Sequence, residues 1–186
     1  MHPVILYIKK GEKGFMNMRP HGSVKISPDE LSDGEAIICP AQPDPAFLSN
    51  LHGDGFESAY EQHWNDKAMA EMLAMTGVFV HQFSAGFIIT QISFETAEIL
   101  TFTVLSSHRG KGYGAALLKA AMHHAFNRGA TRILLEVATD RRAAIGLYRR
   151  AGFERIGVRK NYYAGSEGKR DAFLMETRLG TELNFR

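Results

Sequence analysis

Cysteine is almost missing from this chain: Cys39 stands alone among 186 residues. A single thiol excludes an internal disulfide and any metal site built from several cysteines. Long apolar runs are missing too. The run from Val4 to Ile8 is too short for a signal-peptide core, and no segment reaches the length of a bilayer span. A cytoplasmic location without a membrane partner is the expectation. Eight histidines are present, but none shows ligand spacing. His123 and His124 are adjacent on a helical pattern and point in different directions, so surface or internally satisfied positions are expected for them, and no metal. Acidic residues are scarce in one region only. Met1 to Val104 holds six Lys/Arg against thirteen Asp/Glu, net −7, whereas Leu105 to Lys160 holds twelve against three, net +9. Such a basic half suits a polyanionic ligand. The aromatic interleaving of single-strand binders is absent, so nucleic acid is not the expected partner.

What is present describes one globular domain. The composition, 45% hydrophobic and 23% charged, is that of a chain able to bury its own core. Residues 1–30 are weakly patterned and read as an N-terminal extension, residues 31–180 as a single domain, and residues 181–186 as a tail. Glu35 to Cys39 reads as a short strand. Asp44 caps a helix that Pro45 enters and the glycines at 53 and 55 end near His52. Asn65 caps a second helix, with Trp64 and Met69 placed to staple its first turn. The period then changes to that of strands: Val78 to Gln82, Gly86 to Ser93 and Ala97 to Val104, joined by short turns as a meander. A helix from Gly112 to about Arg128 ends at Gly129. Arg132 to Val137 is a strand, and Asp140 is the expected cap of a helix through Arg150 that Gly152 ends. Glu154 to Tyr162 and Ala172 to Leu179 close the chain as strands, with a polar loop between them. This order is α+β, without repeats, and does not match a regular βαβ array.

The densest chemistry lies at Arg109-Gly110-Lys111-Gly112-Tyr113-Gly114, where a β-rich run ends and a helix opens. Glycines there let the backbone approach a ligand, and the first free N–H groups of the helix point at an anion. The spacing is neither that of a nucleotide P-loop nor that of a dinucleotide site. Within Arg132 to Val137, alternation puts Ile133, Leu135 and Val137 on one face and Leu134 and Glu136 on the other. Glu136 among apolar neighbours is a candidate general base, its proton affinity expected to be raised by desolvation. Tyr148 lies on the next helix beside Ile145, Leu147 and Ala151, a place where a tyrosine usually serves the core. Tyr162 and Tyr163 end a strand, where packing plus surface exposure is as open as a functional role.

R-G-K-G-Y-G-A-A-L-L, L-L-E-V, A-A-I-G-L-Y-R-R-A-G-F, R-K-N-Y-Y and D-A-F-L-M follow one another in order from Arg109 to Met175. Together they resemble the GNAT superfamily, in particular its RimI-like ribosomal-protein-alanine N-acetyltransferase branch, over roughly residues 77–179. The resemblance implies a GNAT-like fold. Its mixed, mostly antiparallel twisted sheet of about seven strands would be flanked by about four helices and splayed in the middle to admit CoA. It implies acetyl-CoA as co-substrate, without a metal, and an amine as acceptor, most specifically the N-terminal α-amine of a protein or peptide. By the same likeness Glu136 is the general base and Tyr148 the general acid. Arg109, Gly110, Lys111, Gly112, Tyr113 and Gly114 hold the pyrophosphate. The main chain of Phe102, Thr103 and Val104 pairs with the pantetheine arm and polarises the acetyl carbonyl. Tyr162 and Tyr163 contact the acceptor's backbone, and Asp171 is structural. Two positions depart from the pattern: Arg141 stands where an asparagine is usual, and Val104-Leu105-Ser106-Ser107 lacks the usual proline. A GNAT enzyme for small amines or lysine side chains, and a non-catalytic acyl-CoA-binding module, are the competing readings.

Overall fold

The computed structural model describes residues 35–55, 64–165 and 168–180. The expected extension at 1–30 and tail at 181–186 lie outside them. Four helices and six strands follow one another: α1 Pro45–Gly55, α2 Asp66–Leu73, β1 Val78–Phe83, β2 Gly86–Ser93, β3 Thr96–Val104, α3 Tyr113–Asn127, β4 Arg132–Ala138, α4 Arg142–Arg150, β5 Glu154–Gly165 and β6 Gly168–Arg178. The sheet order is β1-β2-β3-β4-β6-β5. Only β3 and β4 run parallel; every other neighbouring pair is antiparallel.

Among the described residues the sheet has six strands, where about seven were expected. Glu35 to Cys39 contributes one bridge, in which Ile38 and Gln82 exchange main-chain hydrogen bonds of 2.9 Å each way, and no full strand. The polar loop expected after Tyr162 is instead mostly ladder, because β5 continues to Gly165 and pairs with β6 up to Gly168.

Alternation along the strands divides the interior in two. Val80, Phe87 and Ile89 face α1 and α2 and pack with Leu48, Leu51 and Met69. Phe83, Ile88, Ala97, Ile99, Ile133, Leu135 and Val137 face α3 and α4. A register shift places one extra residue, Leu100, in β3 opposite the Ile89–Thr90 step. The bulge reverses which parity faces which layer. Ala97 and Ile99 face α3 before it, and Phe102 and Val104 face that side after it, while Leu100 turns to the α1 layer.

The helix starts follow their capping chemistry, with two corrections. Asp44 Oδ1 accepts from Ala46 N at 2.9 Å, and Asn65 Oδ1 accepts from Ala68 N at 3.0 Å. Helix α1 runs on through Gly53 to Gly55, past its expected end at His52. Gly55 is used for close approach: a Cβ there would stand 1.9 Å from Thr103 Oγ1. Asp140 is not the N-cap residue of α4. The N-cap is Arg141, which makes no side-chain capping bond, and the Asp140 carboxylate pairs with Arg170 Nε at 3.6 Å.

Candidate active site

The sheet opens at its centre. Pairing of β3 with β4 is confined to Thr96–Ile99 against Arg132–Leu135. Beyond Leu135, β4 stays on β6, with Glu136, Val137 and Ala138 opposite Leu174, Phe173 and Ala172. Beyond Ile99, β3 stays on β2 as far as Val104 and Gly86. The two strands therefore part into a wedge. Leu105 N donates to Ala85 O at 2.9 Å. By the alternation of an antiparallel ladder, Thr103 then bonds to β2, while Phe102 and Val104 turn their main-chain N–H and C=O groups outward, toward the wedge. Val104 O does accept from outside the ladder, from Arg109 Nε at 2.9 Å.

The basic glycine loop sits at the end of β3. After a single 3-10 turn at Ser106–His108, Gly110 and Gly112 take φ of +77° and +90°, conformations that a side chain would strain. Nothing lies within 4 Å of where a Cβ would project from either, so their outer surfaces are open to a ligand. Gly112 is the N-cap of α3, and the free N–H groups of that helix's first turn lie here. The six residues named from sequence divide into distinct roles. Lys111 is exposed on the loop. Gly114 is a packing position, where a Cβ would meet Leu147 Cδ2 at 3.3 Å and Phe102 Cζ at 3.7 Å. The Tyr113 ring is fully buried and stacks on Phe83 with centroids 4.4 Å apart, so what it offers a ligand is main chain. Arg109 also bonds Gly55 O through Nη2 at 2.9 Å. Its guanidinium thus ties the end of α1 to the end of β3.

Glu136 and Tyr148 flank the wedge from opposite faces. Tyr148 is buried on the α3/α4 side, its ring centroid 6.4 Å from Phe102 and 5.6 Å from Phe153. Glu136 points to the other face, as alternation predicts. Its surroundings differ from the apolar ones expected. Arg159 Nε lies 2.8 Å from Glu136 Oε1, and the glutamate side chain is only 12% exposed. The Tyr162 hydroxyl donates to the same carboxylate. That bond, followed by burial and the carboxylate's charge, pushes the phenol above the ordinary tyrosine range, against the pull of Arg159. Arg159 also lies 5.4 Å over the Tyr162 ring.

These partners come from a distorted part of β5. The register against β6 slips between Arg159 and Tyr163, and Asn161 sits at φ +55°. Asp171 of β6 secures the slip, accepting from Asn161 N at 2.9 Å and pairing with Lys160 Nζ at 2.7 Å. The Lys160 bond, then that of Asn161, holds the Asp171 carboxyl below its ordinary range. Tyr163 packs edge-on against Tyr162, with centroids 5.0 Å apart, and Tyr162 remains 46% exposed. Arg159 was not singled out from sequence for this site. Its place in R-K-N-Y-Y was visible, but its partner was not, because a bulge resets which side chains share a face.

A parallel pair parting over a glycine loop at a helix start is the arrangement that the sequence motifs imply. The model of the acetyltransferase (GNAT) family matches residues 46–153, more than half of the chain. The chain belongs to the GNAT acetyltransferase family. Among curated GNAT relatives, the [ribosomal protein bS18]-alanine N-acetyltransferase of Escherichia coli K12 is 35% identical over 91 residues, 49% of this chain and 62% of that protein. The match thus spans about three-fifths of that relative's length. Of solved structures, the ribosomal-protein-S18-alanine N-acetyltransferase from Escherichia coli superposes with a TM-score of 0.71 at 25% identity, covering 80% of this chain and 96% of that one. Arabidopsis thaliana NAA60 in complex with acetyl-CoA shares the fold, with a TM-score of 0.67 at 17% identity, covering 78% and 98%. Among the described residues no helix of this GNAT chain is long and apolar enough to cross a membrane.

Proposed function

We propose that this protein is an acetyl-CoA-dependent N-acetyltransferase whose acceptor is the N-terminal α-amine of a protein or peptide. One observation carries the reading: β3 and β4 part after Ile99 and Leu135, with Glu136 on one face of the gap and Tyr148 on the other. A thioester lying in such a gap meets its acceptor from the Glu136 face and its proton donor from the Tyr148 face.

The donor is held by main chain. The pantetheine arm adds along Phe102 to Val104 as an extra strand, bonding the outward-facing groups of Phe102 and Val104 on either side of Thr103. The pyrophosphate rests on Arg109 to Gly114, chiefly on the open Gly110–Gly112 backbone and the start of α3, with Lys111 adding charge. Acetyl transfer then needs a neutral amine. An α-amine with a pKa of about 8 is largely protonated at neutral pH, so Glu136 takes that proton, directly or through one water. The amine nitrogen attacks the thioester carbonyl, and the Val104 N–H bonds the oxygen on which charge develops. Collapse of the tetrahedral intermediate breaks the C–S bond, the Tyr148 hydroxyl protonates the departing thiolate, and the second proton of the attacking nitrogen passes through solvent to restore the phenol. Tyr162 and Tyr163 border the acceptor side, where the exposed Tyr162 ring and its bond to Glu136 place a peptide's first residues beside the base.

The preference for an α-amine is supported by the likeness to the alanine N-acetyltransferase of Escherichia coli and by the joined Glu136, Arg159 and Tyr162. Its test is a set of peptides offered with free or formylated N-termini, each containing one lysine, alongside polyamines, with release of CoA followed. Turnover confined to free N-termini is expected. Equal turnover on formylated peptides assigns the enzyme to lysine, turnover on polyamines alone to small amines, and tight CoA binding with no turnover to a regulatory module.

A further inference from the structure

Three side chains from three separate elements converge away from the wedge. Cys39 follows the bridge residue Ile38, His81 lies on β1 facing α3, and His124 lies in the last turn of α3. Cys39 and His81 are buried and His124 partly so. Their ligand atoms all lie within 4.8 Å of one another. His124 Nδ1 is 3.3 Å from His81 Nε2 and 3.7 Å from Cys39 Sγ. An imidazole nitrogen has either one lone pair or one proton to offer, so a single atom cannot bond both neighbours well. A shared ion would resolve the conflict by giving each of the three ligand atoms a bond of its own. With Zn–N of about 2.0 Å and Zn–S of about 2.3 Å, a tetrahedral ion has N–N edges of about 3.3 Å and N–S edges of about 3.5 Å. The His124–His81 and His124–Cys39 separations lie close to those edges, and the Cys39–His81 pair, within 4.8 Å, closes onto the third when an ion binds.

We propose that Cys39, His81 and His124 form a site for one borderline-soft divalent ion, zinc in the first instance, with its fourth position left to water. The absence of ligand spacing in the sequence does not oppose it, since each ligand comes from a different element. Both imidazoles are neutral at physiological pH. Burial, then His124, lowers His81 to about 3, and burial, then Arg128, lowers His124 to about 4. Each therefore keeps a lone pair for a metal. Burial raises the Cys39 thiol to about 11, so the ion must displace its proton: Zn²⁺ and the thiol give a zinc thiolate and H⁺. The thiolate leaves the site one positive charge beside Arg128, which lies 5.0 Å over the Phe79 ring that packs on His124.

The site's position indicates its role. His124 lies eleven residues beyond Tyr113, about 16 Å along α3 at 1.5 Å per residue, far from the glycine loop. A bound ion joins the segment before α1, which pairs with β1 through the Ile38–Gln82 bridge, to both β1 and α3. It acts as a fastener, outside the acetyl-transfer chemistry.

The test titrates the full-length, reduced and metal-stripped protein with Co²⁺ and then Zn²⁺. Because Cys39 is the only cysteine, a sulfur-to-cobalt charge-transfer band can arise from no other residue. One ion per chain, a thiolate band with intense tetrahedral d–d absorption, displacement by Zn²⁺ and a higher Tm with Zn²⁺ are expected. Cys39→Ser should abolish the band, and His124→Gln should weaken binding at least about tenfold, while His123→Gln should change neither. Absence of the band in the unaltered protein overturns the site, whatever the variants do. So does equal Co²⁺ affinity in the unaltered protein, Cys39→Ser and His124→Gln, which marks surface histidines as the ligands.

Discussion

Glu136 shares its carboxylate with Arg159 and the Tyr162 hydroxyl, so the proposed base is held in place before any acceptor arrives. Replacing it by Gln keeps the shape and removes the proton acceptor. Glu136→Gln is expected to lower kcat by about 10²- to 10⁴-fold with an unchanged Kd for acetyl-CoA, read by steady-state kinetics and calorimetry. Tyr148→Phe keeps the buried ring and should also lower kcat without weakening CoA binding. Asp171 makes a different prediction. Its folded-state pKa is depressed, so its contribution to stability is present above the unfolded value near 4 and is lost as pH falls through the lower folded value. Asp171→Asn should flatten that part of a plot of Tm against pH between 5 and 2. The face of Glu136 was legible because strand alternation is a rigid geometric rule. Its partners were not. The slip around Asn161 breaks alternation in β5, and no spacing rule joins residue 136 to residue 159. The apolar surroundings expected for Glu136 failed for the same reason.

At the scale of elements, β2 matches its expected limits, β1, β3 and β4 differ from theirs by one residue at one end, and α3 by one at each end, because their periodic apolar patterns are strong. The misreadings fall where short-range signals were asked to settle tertiary questions. Asp140 has the side chain of a cap but pairs with Arg170, which lies thirty residues further on. The glycines at 53 and 55 looked like a helix stop, yet Gly55 serves contact with Thr103. Gly55→Ala should therefore lower Tm by forcing α1 away from β3, and the pair Gly55→Ala with Thr103→Ala should recover part of the loss. A recovery of nothing would place the strain elsewhere. In the glycine loop, Gly112→Ala meets no steric neighbour but must hold φ near +90°. A cost of about 1–2 kcal/mol is expected for a side chain in that region, together with weaker acetyl-CoA binding, both measurable by melting with and without the cofactor.

For the whole molecule, the bulge at Leu100, the parting of β3 from β4 and the strut from Arg109 to Gly55 act together. The bulge turns Phe102 toward Tyr148, the parting opens the sheet between the two proposed proton carriers, and the strut joins the end of α1 to the lip of the wedge. The α+β class and the glycine loop were readable from the order of periodic segments. The seventh strand was not, because whether the short run Glu35 to Cys39 becomes ladder or a lone bridge depends on neighbours that a local pattern does not show. Amide hydrogen exchange with and without acetyl-CoA tests the wedge most directly. Protection on binding is expected at Phe102 to Val104 and at Gly110 to Gly114, with Val78 to Phe83 unchanged. Protection that spares both of those segments would contradict the placement of the cofactor between β3 and β4.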